Sequence, residues 1–178
     1  MRGLFLTLLM TVFFSASAQV DAFQNDIIDL LNINGTRQFY ENSQEQSLEF
    51  LKDQIVKKKI SKSEWKEIKL KNKEENLDNL MKSLSFAYRN HFSKEEIHEL
   101  TTFYKTEAAK KLLSGKSKFS KEEDKIIDDF NNSDVSKRRN MIDNVLVKEM
   151  VTIYSDWKRE LIASKMSELV KGGYTTPE

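Results

Sequence analysis

One block of this sequence occurs twice. Phe92-Ser93-Lys94-Glu95-Glu96 returns as Phe119-Ser120-Lys121-Glu122-Glu123, 27 positions further on. Eleven residues after each of these Phe residues stands another, Phe103 and then Phe130. Each is followed at the same distance by a hydroxyl residue, Thr106 or Ser133, and then by a basic pair, Lys110-Lys111 or Lys137-Arg138. Two matched blocks at one offset argue for two copies of a single helical unit stacked on each other. Each copy reads as helix, kink, helix, over about 92–118 and 119–140. Ser93 and Ser120 can accept hydrogen bonds from the free N–H groups of a first turn, and Glu96 completes a capping box in the first copy. Ile97, Leu100, Phe103 and Tyr104 then fall on one face, as do Ile126, Ile127 and Phe130 in the second copy. Thr106 opens a short helix through Ala108, Ala109, Leu112 and Leu113, and Ser133 with Asp134 restarts the chain in the second copy.

The rest of the chain has the same helical period. Phe23 to Ile33 is a short helix stopped by Asn34-Gly35, and Thr36 caps a long one to Lys59, weakened by a polar gap from Glu41 to Ser47. Lys57-Lys58-Lys59 suits the negative end of that helix. Ser61 with Glu64 forms another capping box, ahead of a stripe made by Trp65, Ile68, Leu77, Leu80, Met81, Leu84, Phe86 and Tyr88, with a break expected near Asn72. The last helix is the longest, about Val135 to Val170. Its expected stripe includes Met141, Ile142, Val145, Leu146, Met150, Ile153, Tyr154, Trp157, Leu161, Met166, Leu169 and Val170. Gly172-Gly173 ends it, and Thr175 to Glu178 are expected to fray. With one Pro, five Gly and 32% charged residues, the composition fits this reading. The expected fold is all-α: an irregular bundle of about six to eight helices with two helix-kink-helix units and a long C-terminal helix.

Residues 1–18 read as a leader, not as part of the fold. Arg2 precedes an apolar run from Leu4 to Phe14, and Ala16-Ser17-Ala18 is a small-residue cleavage site, which places the cut after Ala18 and leaves 19–178 as one α-helical domain. The run is short of the roughly 20 residues that span a bilayer, so no stable membrane anchor is expected after cleavage. The chain has no Cys, which removes both lipid attachment at the new N-terminus and any disulfide framework. The expected compartment is the periplasm, with secretion as the alternative. Loss of Arg2 leaves 28 basic and 28 acidic side chains, a balance that argues against a nucleic-acid partner.

Certain of these residues carry a family resemblance. Leu30-Leu31-Asn32-Ile33-Asn34-Gly35-Thr36, Phe92-Ser93 with Glu95-Glu96-Ile97, and Phe103-Tyr104 with Thr106 and Ala109-Lys110-Lys111 resemble the Domain of Unknown Function 2059 family. The resemblance implies an exported bacterial α-helical protein and carries no established activity. Members often have Gly where this chain has Ala109. A close helix contact survives that change, whereas a left-handed turn would not.

The residues exclude chemistry more readily than they name it. His91, Glu95 and His98 would share a face on an unbroken helix and could ligate zinc, but the Ser93 cap sets His91 ahead of the helix that carries the other two. No metal or cofactor is expected. Glu95/Glu99 and Asp124/Asp128 stand among lysines, as on solvated helix faces, and no nucleophile elbow or glycine loop is present. A non-catalytic binding or protein-interaction module is therefore expected, with a structural homo-oligomer built on the long helix as one alternative and a metal-dependent hydrolase-like activity as the least favoured. Phe103, Tyr104, Phe130 and Trp157 are the candidate lining of a groove for an unknown protein segment or an apolar small ligand. The same aromatics, on helical stripes, equally suit a core.

Overall fold

The computed structural model describes residues 21–55 and 60–174. The leader with its cut after Ala18, Lys57-Lys58-Lys59 and the frayed end at Thr175 to Glu178 lie outside these residues. Eight helices follow in order: α1 (Ala22–Ile33), α2 (Thr36–Ile55), α3 (Lys62–Leu70), α4 (Lys73–His91), α5 (Lys94–Tyr104), α6 (Glu107–Leu113), α7 (Lys121–Asn132) and α8 (Asp134–Lys171). The fold is all-α, as expected, with no strand among the described residues.

Local chemistry sets the boundaries. Ser61, Ser93 and Ser120 each cap a helix and each pairs with a Glu three residues on in a full capping box. Thr106 caps α6 and Ser133 caps α8. Asn34 closes α1, and its Oδ1 then accepts from the backbone N–H of Thr36 at 3.0 Å, so Asn34 rather than the Thr36 side chain starts α2. Gly35 turns the corner with φ +88°, and a Cβ there would lie 3.2 Å from Leu113 Cδ2. Asn72, at φ 58°, makes the break between α3 and α4.

Two apolar clusters hold the helices. The larger joins α1, α4 and α5 to the N-terminal half of α8 through residues such as Ile27, Leu31, Leu80, Leu84, Ile97, Leu100, Val135 and Leu146. The smaller joins the C-terminal half of α2 to α3 and the end of α8 through Leu48, Leu51, Trp65 and Leu169. At 38 residues α8 is about 57 Å long and is shared by both.

Several side chains expected to be inward face water. Phe86, Leu112, Leu113 and Ile126 are exposed, as are Met141, Val145, Met166 and Val170 on α8. Phe86 lies two residues from Leu84, about 200° around α4 from the buried row. On α8 the inner row runs Val135, Ile142, Leu146, Ile153, Trp157, Leu161, Lys165 and Leu169, so it passes through a lysine where Met166 was expected.

The repeat is visible in three dimensions but is not symmetric in burial. Phe103 and Phe130 occupy equivalent positions, and after each the hydroxyl of Thr106 or Ser133 donates to the Phe carbonyl at 2.7 Å. The pair after each joint is buried, Ala108-Ala109 in one copy and Val135-Ser136 in the other. The copies differ where buried Ile97 is matched by exposed Asp124, and α7 contributes no fully buried residue. The second short helix of the second copy is the start of α8.

Candidate functional site

Phe103, Tyr104 and Phe130 meet. The rings of Phe103 and Phe130 stack with centroids 3.7 Å apart and planes 2° from parallel, and Tyr104 meets Phe103 edge-on at 5.3 Å and Phe130 at 6.3 Å. Phe103 is buried and Tyr104 half-buried, with its hydroxyl accepting from Arg139 Nη1 at 3.0 Å. The inner faces of the two Phe rings are therefore turned to each other. Trp157 does not join them. Its indole N–H donates to the carbonyl of Asn76 at 2.9 Å, and its ring stacks on Tyr154, which in turn packs on Tyr40 at 4.9 Å. Burial pushes the Tyr40 phenol up to about 12, with Tyr88 and Tyr154 adding to the shift.

Ser93 separates the histidines as its capping role requires. His91 ends α4, with Nε2 3.0 Å from Glu149 Oε1 and its carbonyl accepting from Arg138. Glu95 and His98 ride exposed on α5, beside Asp26 and Asp29 of α1, at the rim of a cleft of about 430 Å³. Among the described residues no three His, Asp or Glu side chains are placed to hold a metal ion.

An exposed apolar surface lies between α2 and α8. Phe39, Ser43, Gln46 and Phe50 recur on one face of α2 at four- and three-residue spacing. Phe39 and Phe50 are 65% and 68% exposed. Phe39 and the α8 residues Val147 and Val151 border an opening of about 410 Å³, and Phe50, Ile162 and Met166 border a second of about 450 Å³. Both helices advance in the same direction past these openings. Between them Ser43 Oγ and Tyr154 Oη are hydrogen-bonded across the groove. Among the described residues, Lys158 is the one charged side chain in the lining of either opening. The sequence pattern did not single out Phe39 or Phe50 as a surface. The available signal was a second apolar row on α2, eleven residues apart and distinct from the row of Tyr40, Leu48 and Leu51.

Residues 78–130 match a family model described as "Uncharacterized protein conserved in bacteria (DUF2059)". Over these residues the chain is similar to that family. The match runs from within α4 to the stacked ring of Phe130 and so contains the whole first repeat unit. Leu30 to Thr36, which share the resemblance, lie before it. Ala109, within the matched residues, is fully buried on α6, and Asn72 is the one non-glycine described residue with positive φ. The small side chain at 109 thus serves a close contact, with no left-handed turn. No curated protein and no solved structure matches the chain.

Proposed function

We propose that the chain is an exported, non-catalytic interaction module of the bacterial periplasm, and that the groove between α2 and α8 receives an amphipathic helix of a partner protein. Export is supported by the leader pattern of residues 1–18, and a bacterial setting by the family model. A non-catalytic role is supported by the solvation of Glu95, Glu99, Asp124 and Asp128, which are all exposed.

One observation carries the partner reading: Phe39 and Phe50 stand in water eleven residues apart, each facing an apolar opening on α8. That separation is about 16 Å along α2, or three turns, the distance between anchors at i and i+11 of a docked helix. The Ser43–Tyr154 hydrogen bond interrupts the apolar lining midway, which suits a helix presenting separate anchors better than a continuous lipid chain. Burying each aromatic or aliphatic anchor contributes about 1.5–3 kcal/mol.

A photo-crosslinking phenylalanine analogue at position 50, in the full chain expressed in a bacterial envelope, tests this. The expected adduct is a protein segment whose apolar residues recur three and four apart, and the same analogue at exposed Glu160 gives none. Adducts with lipid alone, with a second copy of this chain, or no adduct would overturn the reading.

A further inference from the structure

Past the buried pair Ala108-Ala109, α6 ends in an exposed corner. Gly115, at φ +71°, donates its N–H to the carbonyl of Leu112 at 3.0 Å, and the N–H of Lys116 reaches the carbonyl of Lys111 at 3.0 Å. These are the two bonds of a Schellman turn. Ser114 adds its N–H to the carbonyl of Lys110 and its Oγ to that of Lys111, so the carbonyls of residues 110 to 112 are all engaged. Residues 112–118 are exposed throughout, and a Cβ at Gly115 would meet nothing within 4 Å, so the corner stands out into solvent. Leu112 and Leu113, just before the turn, are 41% and 46% exposed. Charge gathers beside them. From Lys105 to Lys121 there are lysines at 105, 110, 111, 116, 118 and 121, and Glu107 is the one acidic residue. Lys110 pairs with Glu107 and Lys111 with Glu123, and Glu122 accepts from Ser120 Oγ. Lys116 and Lys118 form no ion pair among the described residues.

We propose that this corner docks reversibly on an anionic phospholipid surface, with Leu112 and Leu113 entering the interface and Lys116 and Lys118 against the headgroups. Leucines at a projecting turn beside unpaired ammonium groups match such a surface in both apolar contact and charge. A soluble anion would engage the lysines and leave the leucines in water, and an apolar peptide would do the reverse. Backbone carbonyls that leave water unpaired cost free energy, and this turn already pairs those nearest the tip. The same bonds occupy the negative end of a seven-residue helix, so the lysines set the sign of the corner. Because basic and acidic side chains are balanced over the chain as a whole, the attraction is local, and the docking is weak and salt-sensitive. None of these residues lines the openings between α2 and α8, so the proposal does not rest on the partner groove.

The test uses the chain from Gln19 onward, which holds all eight helices and lacks the apolar leader that would itself enter lipid. The sequence has no cysteine, so Ser117→Cys takes a single environment-sensitive fluorophore at the corner. Vesicles of phosphatidylcholine with about 30% phosphatidylglycerol are expected to shift its emission saturably to the blue, and phosphatidylcholine alone is not. Raising salt from about 0.05 M to about 0.5 M should reverse the shift. At about fivefold per lysine, Lys116→Gln with Lys118→Gln should weaken binding about 25-fold. The charge-matched pair Lys62→Gln with Lys66→Gln, exposed on α3, should leave it within about twofold. Leu112→Ser should weaken it about tenfold. Should Leu112→Ser fail to fold, the two lysine pairs still decide. No blue shift with anionic vesicles overturns the proposal, as does equal binding to neutral ones or an equal loss from the α3 pair. A folded Leu112→Ser variant that binds like the parent, or the same blue shift with soluble polyphosphate, would reduce the corner to an anion site and overturn it too.

Discussion

Lys165 offers the sharpest test of how the two apolar clusters are joined. It lies on the inner row of α8, is 2% exposed, and its ammonium donates to the carbonyls of Ile68 at 2.7 Å and Lys71 at 2.9 Å, and to Glu168 Oε2 at 3.2 Å. Those carbonyls belong to the end of α3, where the backbone runs out of intrahelical donors. A cation from a distant helix thus caps α3 and matches the sign of its dipole. Lys165→Met keeps the stem and removes the charge. Each hydrogen bond from a charged donor contributes about 1.5–3 kcal/mol, so the two carbonyls together stand to lose about 3–6 kcal/mol. Relief from burying an ammonium offsets part of this. Glu168 retains Lys71 at 2.9 Å and adds little to the loss. The expected net destabilisation is about 2–4 kcal/mol, which at this chain length lowers Tm by about 5–15 °C. Calorimetry and urea unfolding would measure it, with amide exchange expected to quicken first at the end of α3. A variant as stable as the parent, with α3 still protected, would refute the capping argument and show that desolvation outweighs it.

The aromatic stack makes a second case. Phe103→Ala should cost about 3–5 kcal/mol and Phe130→Ala less, since Phe130 is only half-buried. In a double-mutant cycle by urea unfolding the pair should couple by about 0.5–1.5 kcal/mol, and strict additivity would mean that the stacked rings do not interact. Tyr40 sets a pH limit: its phenol is held protonated up to about 12, so its stabilising share is complete below pH 10 and is lost as pH rises towards 12. Tyr88, by burial, and Tyr174, by its hydrogen bond to Glu64, are raised as well, so absorbance titration should show a late group of phenols from which Tyr40→Phe removes one, and identical curves would refute the assignment. Phe50→Glu should change stability by no more than about 0.5 kcal/mol, because the ring is already in water, while abolishing partner capture; a large loss of Tm would instead make Phe50 structural.

Much of the fold was legible because its joints are written in hydroxyl residues. Ser61, Ser93, Thr106, Ser120 and Ser133 each begin a helix where the sequence places a cap. The repeat predicted the equivalence of Phe103 and Phe130, though not that the two rings would face each other. What was illegible lies where polar residues turn inward. The gap from Glu41 to Ser47 looked like a weak point in α2, yet the helix runs through it with Gln44 and Ser47 buried. Lys165 is hidden for the same reason, since a lysine gives no sign in sequence that two carbonyls of another helix await it. Trp157 was grouped with Phe103 as one aromatic among others. Its place depends on the azimuth of a 38-residue helix, over which small departures from 3.6 residues per turn accumulate.

The continuity of α8 also bears on how chains of this kind can change in length. One residue inserted between Leu146 and Leu161 would move everything beyond it by about 1.5 Å and rotate it by about 100°. Leu161, Lys165 and Leu169 would swing away from α2 and α3 while Val135 and Leu146 stayed in place. Four inserted residues would nearly restore the azimuth but shift the far end by about 6 Å, past the carbonyls that Lys165 meets. The stretch between the two clusters is therefore a ruler of fixed gauge. Variation in chain length among relatives is expected at the corner after Ser114, where Gly115 has open space around it, and not along the rod.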